Sequence, residues 1–333
     1  MQENEQIQEQ VKKKKGIFDK ILDFLFVISV IYIIYNIFGY FYPYEANYIN
    51  NRILGTDINT ITTTNNSYYR DYNYKYVQNT KYLHPSNKQE LLNSLYTFIN
   101  SGEEKIIFYC TKEYKNCTKD AEELIYDDDK NVISVIYEFS HPYNDYKTIS
   151  CGTDKKTNEV RFKVEKKYSK KKIKEIDAKV DELYNELYNP NENIITNIKT
   201  FHDYLVNNIE YDHTKSDFIE KKGESDSEYD SSTAYGALIQ HMAICGGYTD
   251  AMYLFLDKMG VQSMRVTSPT HIWNAVYVDG EWLHLDLTWD DGRYTNGKTF
   301  LQHKYFLINS KNLLELDTDS HSFYQDVYLE LSN

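Results

Sequence analysis

Apolar positions fall along the chain in three different rhythms, and each predicts a different kind of element. From Phe24 to Tyr42 the run FLFVISVIYIIYNIFGYFY is almost unbroken, with Ser29 and Asn36 its only clearly polar members. A helix crossing a hydrocarbon core needs roughly 20 such residues, so residues 24–42 read as a transmembrane helix. Lys12, Lys13, Lys14 and Lys15 precede it, and Tyr35, Tyr40 and Tyr42 cluster near its far end. Positive residues stay on the cytoplasmic side and aromatic rings favour the interface, which puts the remainder of the chain outside. A cleaved signal peptide competes, but its apolar core is shorter and no Ala-x-Ala-like site follows Tyr42. A buried core helix also competes; the lysine run and the lack of an amphipathic face argue against it.

Beyond the span, residues 43–85 are rich in Asn, Thr and Tyr without a sustained period, and read as a spacer. Ser86 then reads as an N-cap for a helix striped by Leu91, Leu92, Leu95, Phe98 and Ile99 and ended by Gly102. EKIIFYC reads as a strand, Lys119 to Tyr126 as a short helix, and NVISVIYEFS as a second strand. The alternating TNEVRFKVEKKY reads as a third. Residues 86–168 thus form a small α+β module. From Ser169, Ile173, Ile176, Val180, Leu183 and Leu187 repeat at three and four until Asn189-Pro190, and a second helix follows over 192–208. KKGESDSEYDSS reads as a solvated loop, and no internal repeat is found.

The segment STAYGALIQHMAICGGYTDAMYLFLDKMGV predicts a helix over 232–241, then a second helix starting at Cys245, with Ala251, Leu254, Phe255 and Met259 on its buried stripe and Gly260 at its end. SMRVTS reads as a strand. HIWNAVYV and EWLHLDLTW read as a hairpin about Asp279-Gly280, a strong two-residue turn. Counting outward pairs Tyr277 with Trp282, Ala275 with His284, Trp273 with Asp286 and His271 with Thr288. His271 and Asp286 are then diagonal neighbours on one face.

Charge narrows the function classes. The chain of 333 residues carries a formal net charge of −13, which excludes tight nonspecific nucleic-acid binding, an interaction that depends on lysine and arginine. The 33 tyrosines are read as coding bias rather than function. The four cysteines, Cys110, Cys117, Cys151 and Cys245, form no CxxC pair, so no structural zinc site is expected. With Cys245 kept as a free thiol, at most one disulfide can join two of the other three; buried free thiols are the expectation.

Cys245 alone reads as an ordinary buried cysteine. Its setting changes that. A helix start supplies free N–H groups and a dipole that stabilise a thiolate and can hold a developing oxyanion, and Gly246-Gly247 would let a substrate backbone approach the sulfur. An imidazole held by a carboxylate is the arrangement that draws a proton from a thiol, and His271 with Asp286 provides it. The competing reading makes them a structural pair on an exposed face. His284 shares the face and could replace His271, though it sits on the same strand as Asp286. Trp273 and Trp282 could floor a substrate groove, or simply pack on the hairpin. Asp290-Asp291-Gly292 reads as a turn, with only weak support for a calcium role.

These residues resemble the transglutaminase-like superfamily, in a bacterial-type, membrane-anchored form. That family has a helix-start cysteine, a histidine commonly followed by Trp-Asn, and an aspartate in a segment like Leu-Asp-x-Thr-Trp; here they are Cys245, His271-Ile272-Trp273-Asn274 and Leu285-Asp286-Leu287-Thr288-Trp289. The likeness covers about residues 190–310. It implies Cys245 as nucleophile, His271 as base and Asp286 as third member, in an α+β, papain-like core with the cysteine helix packed on an antiparallel sheet. Tyr235, Gln240, Gly246 and Trp273 are the candidates for oxyanion or groove positions. The implied organisation is a cytoplasmic basic tail (1–23), the span (24–42), the spacer (43–85), the module (86–168) and a catalytic domain (169–333). The implied function is cysteine-dependent acyl transfer or amide hydrolysis on protein or peptide substrates outside the membrane, with no cofactor and no metal. The alternative is an inactive scaffold of the same fold acting as a surface binding module. Oligomeric state and physiological substrate are not legible.

Overall fold

A computed structural model describes residues 16–42, 46, 49, 66–81, 83–126, 135–221, 226–293 and 299–332. The lysine run at 12–15 and most of the spacer, 43–65 apart from 46 and 49, lie outside the described residues. The chain divides into a unit of residues 1–57 with 155–157 and a larger unit holding the remainder.

In the first unit α1 (Ile17–Phe41) has 25 residues, none buried. At 1.5 Å per residue it is about 37 Å long, enough to cross a hydrocarbon core of about 30 Å. It is long and apolar enough for a membrane span. It begins at Ile17, earlier than the apolar run, so Asp19, Lys20 and Asp23 lie on its first two turns.

The larger unit is α+β. Its elements are α2 (Lys88–Ser101), β1 (Lys105–Tyr109), α3 (Cys117–Tyr126), β2 (Tyr146–Asp154), β3 (Glu159–Lys166), α4 (Lys170–Leu187), α5 (Ile194–Asn208), β4 (Glu210–Tyr211), α6 (His213–Lys221), β5 (Met242–Ala243), α7 (Cys245–Lys258), β6 (Ser263–Thr267), β7 (Ile272–Val278), β8 (Glu281–Leu285), α8 (Leu287–Asp290), β9 (Asp291–Arg293), β10 (Thr299–Leu301), α9 (Ser310–Leu316) and α10 (Thr318–His321). One antiparallel sheet has the order β1-β3-β2 and another β6-β7-β8; β4 pairs in parallel with β5, and β9 with β10 antiparallel.

Several expectations hold in detail. Gly102 closes α2 at φ 74°, the helical pattern read from Ser169 is α4, and Gly260 lies just past α7 at φ 72°. The Asp279-Gly280 turn has φ 53° and 84° at its two central residues, which only such residues adopt readily, and the register pairs Tyr277 with Trp282 and Ala275 with His284. Others are corrected. Asn87, not Ser86, caps α2, because Ser86 spends both its N–H and its hydroxyl on the Glu90 carboxylate. The segment NVISVIYEFS is not a strand in its described part. It forms a 3-10 turn, Ile136–Phe139, that turns Ile136, Glu138 and Phe139 inward together. The strand that completes that sheet is β2, an edge strand whose mostly polar residues, none of them fully buried, carry no apolar signal. Cys110 and Cys117 are not the expected free thiols but a disulfide, with Cα atoms 6.4 Å apart. Residues 66–81 and 83–85 are not a free spacer: Tyr74, Val77 and Leu83 are buried in the core, and Arg70 is ion-paired to Asp257.

The β6-β7-β8 sheet lies between two apolar layers. Met264, Val266, Trp273 and Ala275 face the cluster built by α2, β1, β3 and the 66–85 segment, whereas Val276 and Leu285 face α7 and α5. The 86–168 block therefore shares one core with the hairpin. Phe255 of α7 stacks on Phe201 of α5 with ring centroids 4.5 Å apart.

A buried ionic cluster joins the layers. Arg265 of β6 bonds both oxygens of Asp145 at 2.7 Å and Asp250 of α7 at 2.9 Å, its Nε lies 3.0 Å from a Glu138 oxygen, and Lys167 lies 3.3 Å from Asp250. Burial pushes the Glu138 carboxyl up to about 8 against the pull of Arg265, so at neutral pH the cluster balances two cations against two carboxylates. Removing the guanidinium strands buried negative charge. Arg265→Ala is expected to destabilise the protein by about 3–5 kcal/mol in urea unfolding followed by tryptophan fluorescence, whereas Glu175→Ala at the exposed Lys171–Glu175 pair changes it by no more than about 0.5 kcal/mol.

Candidate active site

Cys245 is the first residue of α7, with Ile244 in extended conformation before it. The preceding chain is held tightly. A π-helical turn, Gly236–Gln240, ends at His241 in the left-handed region, β5 pairs with β4, and the Ile244 N–H donates to the Ser231 carbonyl at 2.9 Å. The Gly247 and Tyr248 N–H groups both reach the Ile244 carbonyl, which leaves those of Cys245 and Gly246 without an acceptor inside the helix. The two glycines serve packing, not substrate approach. A Cβ on Gly247 would strike the Ser231 carbonyl and Ala243, and one on Gly246 would sit 3.1 Å from the Ser232 carbonyl. The Ser231–Thr233 chain crosses the first turn there.

His271 lies just before β7, and its backbone N–H donates to Ser268 Oγ at 3.1 Å. Thr249 of α7 donates its hydroxyl to the Ile272 carbonyl at 3.1 Å, tying the cysteine helix to the start of β7. His271 Nε2 lies 2.6 Å from Asp286 Oδ2, and the Cys245 side chain lies beside the same ring, close enough to help raise its pKa. With Nε2 committed to Asp286, Nδ1 is the nitrogen left for the sulfur. The expected three residues therefore meet, by a route other than the hairpin count. Strand pairing stops at Asn274 with Leu285. Asp286 leaves the strand to cap α8, accepting the Trp289 N–H on Oδ1 at 3.2 Å, as an aspartate at a helix start readily does.

Burial pulls the His271 proton affinity down, but the Asp286 charge and hydrogen bond, with Cys245, overcome it and raise the pKa to about 10. Burial also works against the Asp286 charge, and His271 and His321 more than offset it, holding the carboxyl far below its ordinary range.

The other candidates separate. Trp273 is buried, not a groove wall. It stacks behind His271 at 5.5 Å and 18°, and its Nε1 donates to His284 Nδ1 at 2.8 Å. His284 cannot replace His271, since burial and the neighbouring His321 charge lower its pKa to about 3. Tyr235 lies beside Lys172 and Glu175, and Gln240 accepts the Asp230 N–H. Neither they nor Gly246 lines the cleft that exposes Cys245 and His271. That cleft, of 480 Å³, is walled by Tyr211, His213, Glu220, Trp289 and Gln302 among others. Tyr211 escapes sequence reasoning because its signal is only a two-residue strand, though its pairing with β5 sets it beside the cysteine. Trp282 packs against Tyr277 and Tyr74 instead. Asp290 and Asp291 are engaged by His202, the Tyr305 N–H and the Tyr248 hydroxyl, which does not favour a calcium role.

Two groups among the described residues have the donors for a metal ion: His271 with Asp286 and His321, and His202 with Asp203 and His303. Hydrogen bonds account for both arrangements, and the Lys199 ammonium sits 2.8 Å from His303 Nε2, where it would repel a cation.

No known protein family matches the chain, and no curated protein matches it. Four solved chains do. A structure described as a TGase is similar with 16% identity and a TM-score of 0.33, over 48% of this chain and 48% of that one. A candidate cysteine protease from Cytophaga hutchinsonii is similar with 14% identity and a TM-score of 0.25, over 43% of this chain and 62% of that one. The chain thus spans less than two thirds of either.

With its pKa near 10 rather than the ordinary value of about 6.5, His271 keeps its proton through neutral pH and loses it as the pH rises through about 10. Iodoacetate reports this: the imidazolium attracts the anion, the sulfur–carbon bond forms and iodide leaves. Carboxymethylation of Cys245 is expected to fall on the alkaline side near pH 10. In Asp286→Asn that fall moves to lower pH, since the charge that raises the His271 pKa is gone.

Proposed function

We propose that the protein is a membrane-anchored, transglutaminase-like enzyme that performs cysteine-dependent acyl transfer or amide hydrolysis. The observation that carries this reading is one imidazole bonded to a buried carboxylate and set beside a helix-start cysteine, both at the wall of an open cleft. Cys245 attacks an amide carbonyl, and the oxyanion develops toward the first-turn N–H groups of α7 and the Tyr211 hydroxyl. His271 gives its proton to the departing amine as the C–N bond breaks, leaving a thioester. An incoming amine or water then loses a proton to His271 and displaces the sulfur, giving a new amide or a carboxylic acid. The part after α1 lies outside the membrane in this reading, where a Cys110–Cys117 disulfide persists, and its substrates are proteins or peptides there.

Two experiments test it. Full-length protein in detergent micelles, incubated with glutamine-containing peptides with and without a primary amine, is expected to give amine addition, a one-dalton gain or backbone cleavage, each lost in Cys245→Ala. An unchanged peptide in every condition would leave only an inactive scaffold. For orientation, a membrane-impermeant protease added to intact cells is expected to remove residues beyond α1 and spare the N-terminal tail.

A further inference from the structure

The carboxylate that holds His271 holds a second histidine, and this one touches no cleft. His321, at the end of α10, is fully buried. Its Nε2 lies 2.9 Å from Asp286 Oδ2, the same oxygen that His271 takes, and its Nδ1 lies 2.9 Å from Asp317 Oδ2. A neutral imidazole has one N–H and one lone pair, so it would turn the lone pair against one of the two carboxylates. Only the doubly protonated ring satisfies both.

The surroundings hold the ring in this pose. Tyr305 stacks on it at 5.2 Å and 14°, while Trp273 and Trp289 close in at 4.9 and 5.4 Å. The titratable groups facing it are Asp286 at the start of α8, Asp317 on its own helix, His271 before β7, His284 on β8 and Tyr305 after β10. Of these, His284 is kept neutral and the Tyr305 phenol is pushed up by burial, so the charges that matter are two carboxylates and the two rings they bind.

We propose that His321 is a positioning residue, a buried imidazolium bridging Asp286 and Asp317 that limits how tightly Asp286 holds the proton of His271. This rests on the acyl-transfer reading above. A base that must surrender its proton to a leaving amine is slowed when its carboxylate partner grips too strongly. A second cation on the same oxygen, with ring centroids 5.3 Å apart, weakens that grip. Asp317, only partly exposed, holds the other nitrogen of that ring.

The test is the iodoacetate profile of Cys245 in the full-length protein, read by mass on the Cys245 peptide. Cys151 stays silent because burial, then Glu122, push its thiol up to about 12. His321→Gln keeps a neutral donor for Asp286 but drops the charge; its alkaline fall is expected to move up by about one unit, with kcat lowered and KM unchanged. Asp317→Asn caps α10 equally well and keeps an acceptor for Nδ1, and is expected to move the fall in the same direction by about half as much. If His321→Gln does not fold, Asp317→Asn decides alone. A wild-type fall near pH 10 with folded variants that leave it unmoved, or move it down, overturns the role of His321 and leaves the Cys245–His271 pairing standing. A wild-type profile with no such fall overturns both.

Discussion

A carboxylate sealed from water stays charged only if donors surround it, and Asp286 collects them from every direction. Its Oδ2 accepts from His271 and His321, its Oδ1 from the Trp289 N–H, and its own N–H donates to the Tyr305 carbonyl. The residues so joined come from the start of β7, the start of α8, the end of α10 and the segment after β10. The charge on one side chain therefore fixes where four pieces of backbone meet. Because His271 is among them, the same bond that organises the fold sets the orientation and proton affinity of the ring that faces the sulfur.

The sulfur arrives from the other side of the sheet's edge by a different route. α7 is gripped by α5 on one flank and by β7 on the other, and Thr249 and Asn274 stitch helix to strand. The opposite face of the sheet is covered by the 86–168 block and the C-terminal segment, through Trp273, Tyr328 and the apolar residues around them. Arg265 bonds carboxylates from both layers. A site placed on the ends of elements that are themselves clamped on both faces has little freedom to drift, which is what the proposed nucleophile and base would need. It also explains why the 86–168 block is not a detachable accessory: its core and that of the hairpin are one.

Much of this is legible in the residues themselves, and the reasons are local. The Asp279-Gly280 turn dictates the hairpin register, and the periodic stripe after Cys245 dictates a helix beginning at that cysteine. Both signals live within a dozen residues. What escapes depends on partners far along the chain. β2 is polar because it is an edge, and Ile136–Phe139 is apolar without being a strand because it plugs the core beside Arg265. Asp286 reads as a strand residue because nothing in LHLDLTW announces that a helix cap will win over the ladder. Gly246-Gly247 reads as room for substrate, when it is room for the Ser231–Thr233 backbone. His321 carries no signal at all; its meaning comes only from the two aspartates that it bridges.

The four cysteines divide along the same physical lines. Cys110 and Cys117 bracket a short turn that brings their Cα atoms within disulfide range, so on the proposed outer side of the membrane they are spent on structure. Cys151 sits on β2 with its thiol made inert by burial and by Glu122. Cys245 alone combines access to a cleft with a protonated ring beside it. A thiol is a nucleophile only as far as its surroundings favour the thiolate. In the proposed reading Asp286 holds the ring that sits beside the sulfur, and His321 shares the carboxylate oxygen that does the holding.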